Sequence, residues 1–384
     1  MKRRVAILTE IISPYRIPVF NALSERPEID LHVVFLAETD ATMRQWKVYK
    51  EEIRFSYEIL PHWRRRVCGY NILLNRGMKG ALSRAKPDVV VCGGYSYVAM
   101  WQALRWARQR SIPAFLWSES NAQDRRRGAS AVEFLKRSFL RGCSGFIVPG
   151  KSPAQYLRNF GIPDRVIFTA PNAVDNDFFA DAASSARSKE TALRAKMGLP
   201  DRYYLFVGRM IPEKGIFELL QAYSRLDNEV RERIGLVYVG EGVGREFCET
   251  QAVEIGAGRI VFAGFAHREE LAIYYGLAEC LVFPTLSDTW GLVVNEAMAC
   301  GLPVIATEVA GCTADLVQDG QNGRVVPAGD VGTLSAAMRD LAADGTLRNS
   351  MKIRSTERIA TYTAGTWAEG FARAVTACEL GWRQ

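Results

Sequence analysis

The sequence predicts an α/β protein of two domains, each built on a doubly wound parallel sheet. Its 384 residues exceed one ordinary domain, and the 48% hydrophobic and 24% charged fractions are typical of a folded globular chain. Short apolar segments alternate with amphipathic ones, as expected for parallel strands buried on both faces. The alternation stops near residues 178–200 and then restarts. We therefore expect two Rossmann-like domains that face each other across a cleft.

The first half of the chain begins this alternation at its N-terminus. MKRRVAILTEII predicts a strand rather than a secretory signal, because Glu10 interrupts the apolar run and no small-residue cleavage site follows. One predicted helix, AVEFLKRSFLRGC, has Val132, Leu135, Phe139 and Cys143 at helical spacing, which predicts a sheet-facing stripe with a solvated basic flank. The other strands predicted in this half are DLHVVFLAE, PDVVVCGG, PAFLWSES, GFIVPG and RVIFTAPN.

The polar segment 178–200 is interpreted as the boundary between domains spanning 1–183 and 184–366. A C-terminal helix at about 367–384 is expected to pack back on the first domain. GEGVG at 240–244 predicts a tight strand-to-helix turn, because it lacks the third glycine of a dinucleotide-binding loop. The strands predicted in this half are YYLFVG, IGLVYVGEG, RIVFAG, CLVFPT and PVIAT.

Neither a metal site nor a cofactor is predicted. His32, His62 and His267 share no ligand spacing, and DND at 175–177 is interpreted as a turn and helix cap. The eight cysteines are scattered without a CxxC pair, so they are expected to be reduced core residues of a cytoplasmic protein. No apolar stretch reaches the length that spans a bilayer.

Charge is distributed unevenly along the chain. Residues 1–185 carry a net charge of +11, with RRR at 64–66 and again at 125–127, whereas residues 186–384 carry −4. A basic half attracts phosphates, whether of nucleic acid, anionic lipid or a pyrophosphate-linked substrate. A nucleic-acid-binding function ranks last, because the aromatic and basic interleaving of such modules is missing.

FPTLSDTWGLVVNEAMACGLPVIAT, at 283–307, combines groups suited to a ligand with phosphates and hydroxyls. Gly291 precedes a predicted helix, so the amides of Leu292 and Val293 offer an anion site. Glu296 lies inside this otherwise apolar helix and requires a hydrogen-bond donor, and Asp288 lies on the loop before it.

GRMIPEKG, at 208–215, follows the strand YYLFVG. Gly208 permits a sharp turn at the strand end, and Arg209 and Lys214 then provide two cations suited to a diphosphate. Solvated loop cations would show the same pattern, so this segment alone leaves both interpretations open.

Several motifs together resemble a known family. GRMIPEKG, VGEG, VFAG, YYGLAECLVFPTLSDTWGLVVNEAMACGLPVIAT, GCTADLV and NGRVVPAGD have the order and spacing seen in retaining glycosyltransferases of family four, which have the two-domain GT-B fold. The resemblance is strong over about 199–330 and weak over roughly 1–125. It implies transfer of a hexosyl-type sugar from a nucleoside diphosphate sugar without a metal.

The resemblance also implies a role for each matching residue. Arg209 and Lys214 would hold the donor diphosphate and assist catalysis with Asp288, which stands where the family usually has Glu. Glu296 would bind the ribose hydroxyls. The remaining donor-binding residues implied in this way are Gly208, Phe265, Gly291, Leu292 and Val293.

The acceptor side departs most from the family. SPYRIP replaces an expected glycine pair, and WSESN replaces a strand end that often carries His, so Tyr15, Arg16 and Glu119 are the acceptor-side candidates. The expected acceptor is a sugar or a lipid-linked glycan of cell-surface polysaccharide or glycolipid synthesis, with peripheral contact to an anionic membrane at its cytoplasmic face. A GT-B epimerase and transfer to a soluble small molecule remain the alternatives.

Overall fold

The computed structural model describes residues 2–40, 46–67, 70–121, 130–256 and 259–377, and it contains two compact units. The first unit comprises the chain up to Ala173 and the C-terminal segment from Ala364, whereas the second runs from Val174 to Thr363. The division thus precedes the boundary predicted after residue 183. The polar segment at 178–200 forms two helices of the second unit, and Phe178 and Phe179 pack into the core of that unit.

Within the described residues, the first unit is built on a parallel sheet of seven strands. The chain adds strands outward from β1 in one direction and then crosses to β6 on the other side, which confirms the predicted doubly wound topology. In spatial order the strands are β3 (Ser56–Ile59), β2 (Ile29–Phe35), β1 (Arg3–Thr9), β6 (Val89–Cys92), β7 (Ala114–Trp117), β8 (Gly145–Val148) and β9 (Ile167–Thr169).

Helices cover both faces of this sheet. One face carries α1 (Ile17–Ser24) and α16 (Ala364–Thr376). Trp367 of α16 is fully buried in the core that these helices form with the sheet. The other face carries an antiparallel hairpin and four helices, whose buried sides form one core. These elements are β4 (His62–Val67), β5 (Tyr70–Asn75), α2 (Met78–Ala85), α3 (Val98–Gln109), α4 (Ser130–Gly142) and α5 (Lys151–Arg158).

The predicted sheet-facing stripe of α4 is wrong in its first half. Phe139 and Cys143 are buried, but Val132 and Leu135 are half-exposed to solvent. Only the second half of the helix joins the core, where the Phe139 ring meets the ring of Trp101 edge-on at 5.0 Å. The arginine run at 125–127 lies outside the described residues.

The second unit, as far as the chain is described, is built on a parallel sheet of six strands with helices on both faces. In spatial order the strands are β12 (Ile260–Gly264), β11 (Gly235–Val239), β10 (Tyr203–Val207), β13 (Cys280–Phe283), β14 (Val304–Thr307) and β15 (Gly323–Val326). The helices are α6 (Asn176–Ser188), α7 (Glu190–Met197), α8 (Ile216–Ser224), α9 (Asn228–Arg233), α10 (Arg245–Ile255), α11 (Arg268–Leu277), α12 (Leu292–Ala299), α13 (Thr313–Leu316), α14 (Val331–Ala343) and α15 (Gly345–Ile359).

The cysteines behave as the sequence predicts. Those in the described ranges are buried and free, so they act as small core residues. They are Cys92, Cys143, Cys248, Cys280, Cys300 and Cys312. Among the helices of the described ranges, none combines the length and the apolar character that crossing a membrane requires.

Candidate active site

The sheet of the second unit reverses its direction of growth between β10 and β13. From β10 the chain builds β11 and β12 on one side, and it then returns to place β13 on the other side of β10. Loops that follow two such strands diverge at the carboxyl edge of the sheet, and ligands of open α/β sheets bind in the crevice left there. The two motifs singled out by sequence, at 208–215 and 284–291, are these two loops.

Backbone hydrogen bonds hold the two loops together. The carbonyl of Glu213 accepts from the amide of Leu286 at 2.9 Å and from the hydroxyl of Thr285 at 3.0 Å. Gly215 has a φ of +69°, and a Cβ at this position would lie 1.9 Å from the carbonyl oxygen of Pro284. Only glycine therefore permits this approach.

This contact brings Lys214 to Asp288. Their side chains form a salt bridge, and each is only 16% exposed. The second carboxylate oxygen of Asp288 accepts from the amide of Trp290 at 3.1 Å. Arg209, in the same loop as Lys214, has an exposed side chain. A cation and a carboxylate, both screened from water, thus lie at the mouth of the crevice.

The glycine-rich turn at 240–244 supports the Arg209 loop rather than forming a dinucleotide site. The amide of Met210 donates to the carbonyl of Glu241 at 2.9 Å, and the amide of Gly244 donates to the carbonyl of Met210 at 2.8 Å. The amide of Gly208 donates a hydrogen bond to the carbonyl of Val239 at 3.0 Å. The predicted strand-to-helix turn is confirmed, since β11 ends at Val239 and α10 begins directly after this turn.

Helix α12 begins beside the salt bridge. Gly291 precedes it with a φ of +97°, and a Cβ there would lie 2.6 Å from the ring of Phe283. Leu292 and Val293, half-buried, form the first turn of the helix. The first amides of a helix lack partners within the helix and favour an anion, as the sequence analysis expected at this position.

Glu296, one turn further along α12, has the donor that its position demands. The hydroxyl of Tyr275, on α11, donates to its carboxylate at 2.7 Å. Burial raises the pKa of Glu296 to about 7, although part of the residue remains accessible to solvent, and the hydrogen bond from Tyr275 acts to lower the pKa. Sequence reasoning required a donor but missed Tyr275, which lies within the quoted motif YYGLAECLVF.

The loop after β12 presents an aromatic side chain. Phe265 is partly exposed and meets the ring of His267 edge-on at 5.0 Å. The carbonyl of Gly264 accepts from the amide of Gly240 at 2.7 Å, so this loop is joined to the glycine-rich turn.

In the first unit, two of the predicted acceptor-side residues form a network. Arg16 forms a salt bridge with Glu119 and donates to the side-chain oxygen of Asn172 at 3.1 Å. Asn172, which is fully buried, donates to Glu119 at 2.9 Å. The guanidinium of Arg16 lies 4.2 Å from the ring centre of Trp117 and 5.6 Å from that of Tyr15. Sequence reasoning missed Asn172, although it is the last residue of the predicted strand RVIFTAPN.

The histidine, cysteine and acidic side chains of the described residues form no cluster of three that would bind a metal. The DND segment acts as the predicted helix cap, because the carboxylate of Asp175 accepts from the amide of Phe178 at 3.1 Å at the start of α6.

Comparison with known families identifies the chain. Residues 189–358 match the family described as glycosyl transferases group 1, and residues 22–178 match glycosyltransferase family 4. The chain belongs to the group 1 glycosyltransferases. This membership confirms the family resemblance drawn from the motifs of the second unit.

Two curated relatives of this glycosyltransferase match about half of the chain. One is the D-inositol 3-phosphate glycosyltransferase of Streptomyces bingchenggensis, 32% identical over 201 residues that make up 50% of this chain and 43% of the relative. The other is the GDP-mannose-dependent alpha-(1-6)-phosphatidylinositol monomannoside mannosyltransferase of Mycolicibacterium smegmatis, 32% identical over 201 residues and 50% of each chain. The alignment thus spans about half the length of these relatives.

A solved structure resembles nearly the whole chain. Anabaena HepE in complex with UDP and glucose matches with a TM-score of 0.77 and 15% identity, covering 98% of this chain and 100% of that one. At this identity the likeness establishes the fold alone. Together with the two Rossmann-like sheets, it confirms the predicted GT-B fold.

Proposed function

We propose that the chain transfers a hexosyl-type sugar from a nucleoside diphosphate sugar to an acceptor hydroxyl, with retention of anomeric configuration. The observation that carries this proposal is the pairing of Lys214 with Asp288 at the switch point of the second unit; Asp288 lies on the loop that leads into α12, the helix that carries the hydrogen-bonded Glu296. Membership in the group 1 glycosyltransferases supports it.

Negative charge grows on the leaving diphosphate as the bond between sugar and phosphate breaks. Arg209, Lys214 and the first amides of α12 stabilise this charge, which is electrostatic stabilisation of the transition state. The donor phosphate replaces Asp288 as the partner of Lys214, and the released carboxylate accepts from a hydroxyl of the donor sugar. Glu296 accepts from the ribose hydroxyls, and the loop of Phe265 contacts the base.

Retention follows if the acceptor attacks from the face that the phosphate leaves. In that geometry the departing phosphate takes the proton of the acceptor hydroxyl, so the proposal assigns no protein base. The positive charge comes from side chains and helix amides, so no divalent ion is needed.

We place the acceptor at the carboxyl edge of the first unit, beside Tyr15, Arg16 and Glu119. The proposed acceptor is a sugar or lipid-linked glycan at the cytoplasmic face of the membrane, in cell-surface polysaccharide or glycolipid synthesis. The relative named as a phosphatidylinositol monomannoside mannosyltransferase supports a lipid-linked acceptor. The relative named as an inositol 3-phosphate glycosyltransferase favours the alternative, a soluble small-molecule acceptor.

A thermal-shift screen tests the donor assignment. UDP, GDP, ADP and their sugars are each added to the chain, and the correct nucleotide raises the melting temperature because it binds only the folded state. Glu296→Gln serves as the matched variant with a weakened ribose contact. A chain that responds to none of the nucleotides contradicts the proposal. Incubation with donor alone separates the alternative, because an epimerase would isomerise the sugar without an acceptor.

A further inference from the structure

The outward surface of the hairpin, α3 and α4 in the first unit combines exposed apolar side chains with cations. Phe134, on the side of α4 away from the buried Phe139, is 68% exposed. On the hairpin, Trp63 and Leu74 lie directly opposite each other in the strand register and are both exposed. Large apolar side chains concentrated on one surface indicate a binding partner.

These elements face the same way. The inward side chains Leu73, Leu104 and Phe139, from β5, α3 and α4, belong to one buried core on one face of the sheet. Helix α3 packs against β5 on one side and α4 on the other, so the three elements form a continuous layer. Their opposite sides therefore form a single outer surface.

The charge of this layer is almost entirely positive. Glu133 is the only acidic residue in β4, β5, α2, α3 and α4, and it is paired with Arg137 at 3.2 Å. Two basic residues of these elements are paired with acids from elsewhere in the unit, Arg64 with Glu10 and Asp40 and Arg84 with Glu58. The exposed basic residues that are left are Arg65, Lys79, Arg105, Arg108, Arg137 and Arg141. Such an excess of cations complements an anionic surface.

Lys136 shows how a cation of α4 is held among aromatic side chains of neighbouring segments. Its ammonium group donates to the hydroxyl of Tyr156, and it lies 5.8 Å from the ring centre of Tyr95 and 5.4 Å from that of Phe160. Interleaved aromatic, aliphatic and basic side chains on a helix are typical of segments that lie in the interface of a bilayer. A nucleic acid would use the cations but offers no apolar phase for Phe134 and Leu74.

We infer that the surface formed by α4 and the β4–β5 hairpin docks the enzyme onto an anionic lipid bilayer, with Phe134, Trp63 and Leu74 in the interface and the cations among the headgroups. This inference takes the membrane as partner from the proposed function, but it does not depend on the reaction. Attachment is reversible and weakens with salt, because exposed charges are screened.

Vesicle co-sedimentation of the full chain tests the inference. Wild-type chain should bind vesicles of phosphatidylcholine mixed with phosphatidylglycerol and ignore phosphatidylcholine alone. The α4 substitution Phe134→Ser, combined with Leu74→Ser on the hairpin, should lower the partition coefficient at least about tenfold, because both side chains lose their apolar contact with lipid. The matched control is Val253→Ser/Ile353→Ser in the second unit, where these aliphatic residues are 82% and 62% exposed. The control should bind as the wild type does.

A double substitution of cations tests the electrostatic contribution to membrane binding. Arg137→Gln/Arg141→Gln should lower binding and flatten its dependence on salt, whereas Arg233→Gln/Arg354→Gln, exposed cations of the second unit, should do neither. In all variants the nucleotide-induced rise in melting temperature should persist, which shows that fold and donor site are intact.

Three results would overturn the inference. The wild-type chain could ignore anionic vesicles at low salt, or the α4 variants could bind as tightly as wild type. Alternatively, the α4 variants could dissociate an oligomer in the absence of vesicles, which would assign the surface to a protein partner. Each result leaves the proposed transfer reaction testable with a water-soluble acceptor, so the two proposals fail separately.

Discussion

Lys214 and Asp288 form a salt bridge between the loops that follow β10 and β13. The proposed reaction assigns the lysine to the donor phosphate and the aspartate to the donor sugar. Binding of the donor therefore exchanges one partner of Lys214 for another of the same charge. The lysine remains compensated in both states, which keeps a largely buried cation at the point where charge develops.

Removing either cation should lower turnover while preserving the fold. Lys214→Ala and Arg209→Ala should each reduce kcat by about 100-fold or more, as loss of a preorganised charge-stabilising donor does. The loops should stay in place, because their contact uses the backbone carbonyl of Glu213. Steady-state kinetics and melting temperatures measure both effects, with the exposed Lys189→Ala as control. Near-normal turnover in either variant would show that its phosphate role is wrong.

Asp288→Asn should separate binding from transfer. The amide no longer pairs with Lys214, so the free nucleoside diphosphate should bind at least as tightly as it does to wild type. Transfer should fall, because the amide is a weaker acceptor for a sugar hydroxyl than the carboxylate. Titration calorimetry with the nucleoside diphosphate, set beside kcat, checks the division. A large loss of diphosphate affinity in this variant would contradict it.

The donor site was more predictable from sequence than the acceptor site. In the second unit, strand ends, glycines and charged residues lie close together in two segments, so the motifs and the family resemblance that they carry named both Lys214 and Asp288 as site residues. Tyr275 could only be inferred as an unnamed donor, because a tyrosine in an apolar helix gives no sign of where its hydroxyl points. Long-range partners explain the other gaps. Arg16 meets Asn172 only through the fold.

The exposed half of α4 illustrates a different limit. Helical spacing of apolar residues predicts which side is apolar, but it does not say what covers that side. In α4 the core reaches Phe139, whereas Val132 and Leu135 lie beyond it. The same ambiguity explains why the domain boundary was placed within the segment that forms α6. Its small residues, including Ala183 and Ala186, face a closely packed core rather than solvent.

The raised pKa of Glu296 predicts how stability depends on pH. Its pKa rises from an ordinary 4.5 to about 7 in the folded chain, so the folded chain holds a proton that the unfolded chain releases between these values. Stability from this group is therefore present below about pH 4.5 and lost as the pH rises to about 7. Glu296→Gln should therefore melt at a higher temperature than the wild type at pH 8 but not at pH 4.5. The shift corresponds to at most about 3 kcal/mol.

Tyr275→Phe should move this transition. The hydroxyl stabilises the charged carboxylate, so its loss should raise the pKa of Glu296 further and shift the pH dependence of nucleoside diphosphate affinity to higher pH. Glu296→Gln, with no group to titrate, should remove that part of the pH dependence. The affinity of the three proteins for the nucleoside diphosphate is measured from about pH 5.5 to about pH 8.5, a range that brackets the raised pKa of Glu296. Parallel curves would exclude Glu296 as a ribose ligand.

Catalysis should not require a divalent ion. Activity of the chain should persist in excess chelator, because two cationic side chains and helix amides provide the charge stabilisation. A reaction abolished by chelator and restored by Mn²⁺ would refute this. It would also return attention to Asp175 and Asp177, although Asp175 is engaged as a helix cap.

The Arg16–Glu119 ion pair should affect binding of the acceptor but not binding of the donor. Glu119→Gln removes the negative charge that, with Asn172, holds the guanidinium of Arg16 over the ring of Trp117. A hydrogen bond to a charged group is worth about 1.5–3 kcal/mol, so the KM for acceptor should rise roughly tenfold or more while the KM for donor stays constant.

A second ion pair of the same unit provides the control for this prediction. Arg26 and Glu28 pair at 2.6 Å on the surface, so Glu28→Gln removes a comparable charge away from the proposed acceptor edge. Glu28→Gln should change neither KM. If Glu119→Gln raised both KM values equally, the pair would be supporting the fold. If it changed neither, acceptor binding would have to be sought elsewhere. A selective rise in acceptor KM is the one outcome that a purely structural pair cannot produce, because loss of fold would impair donor binding as well.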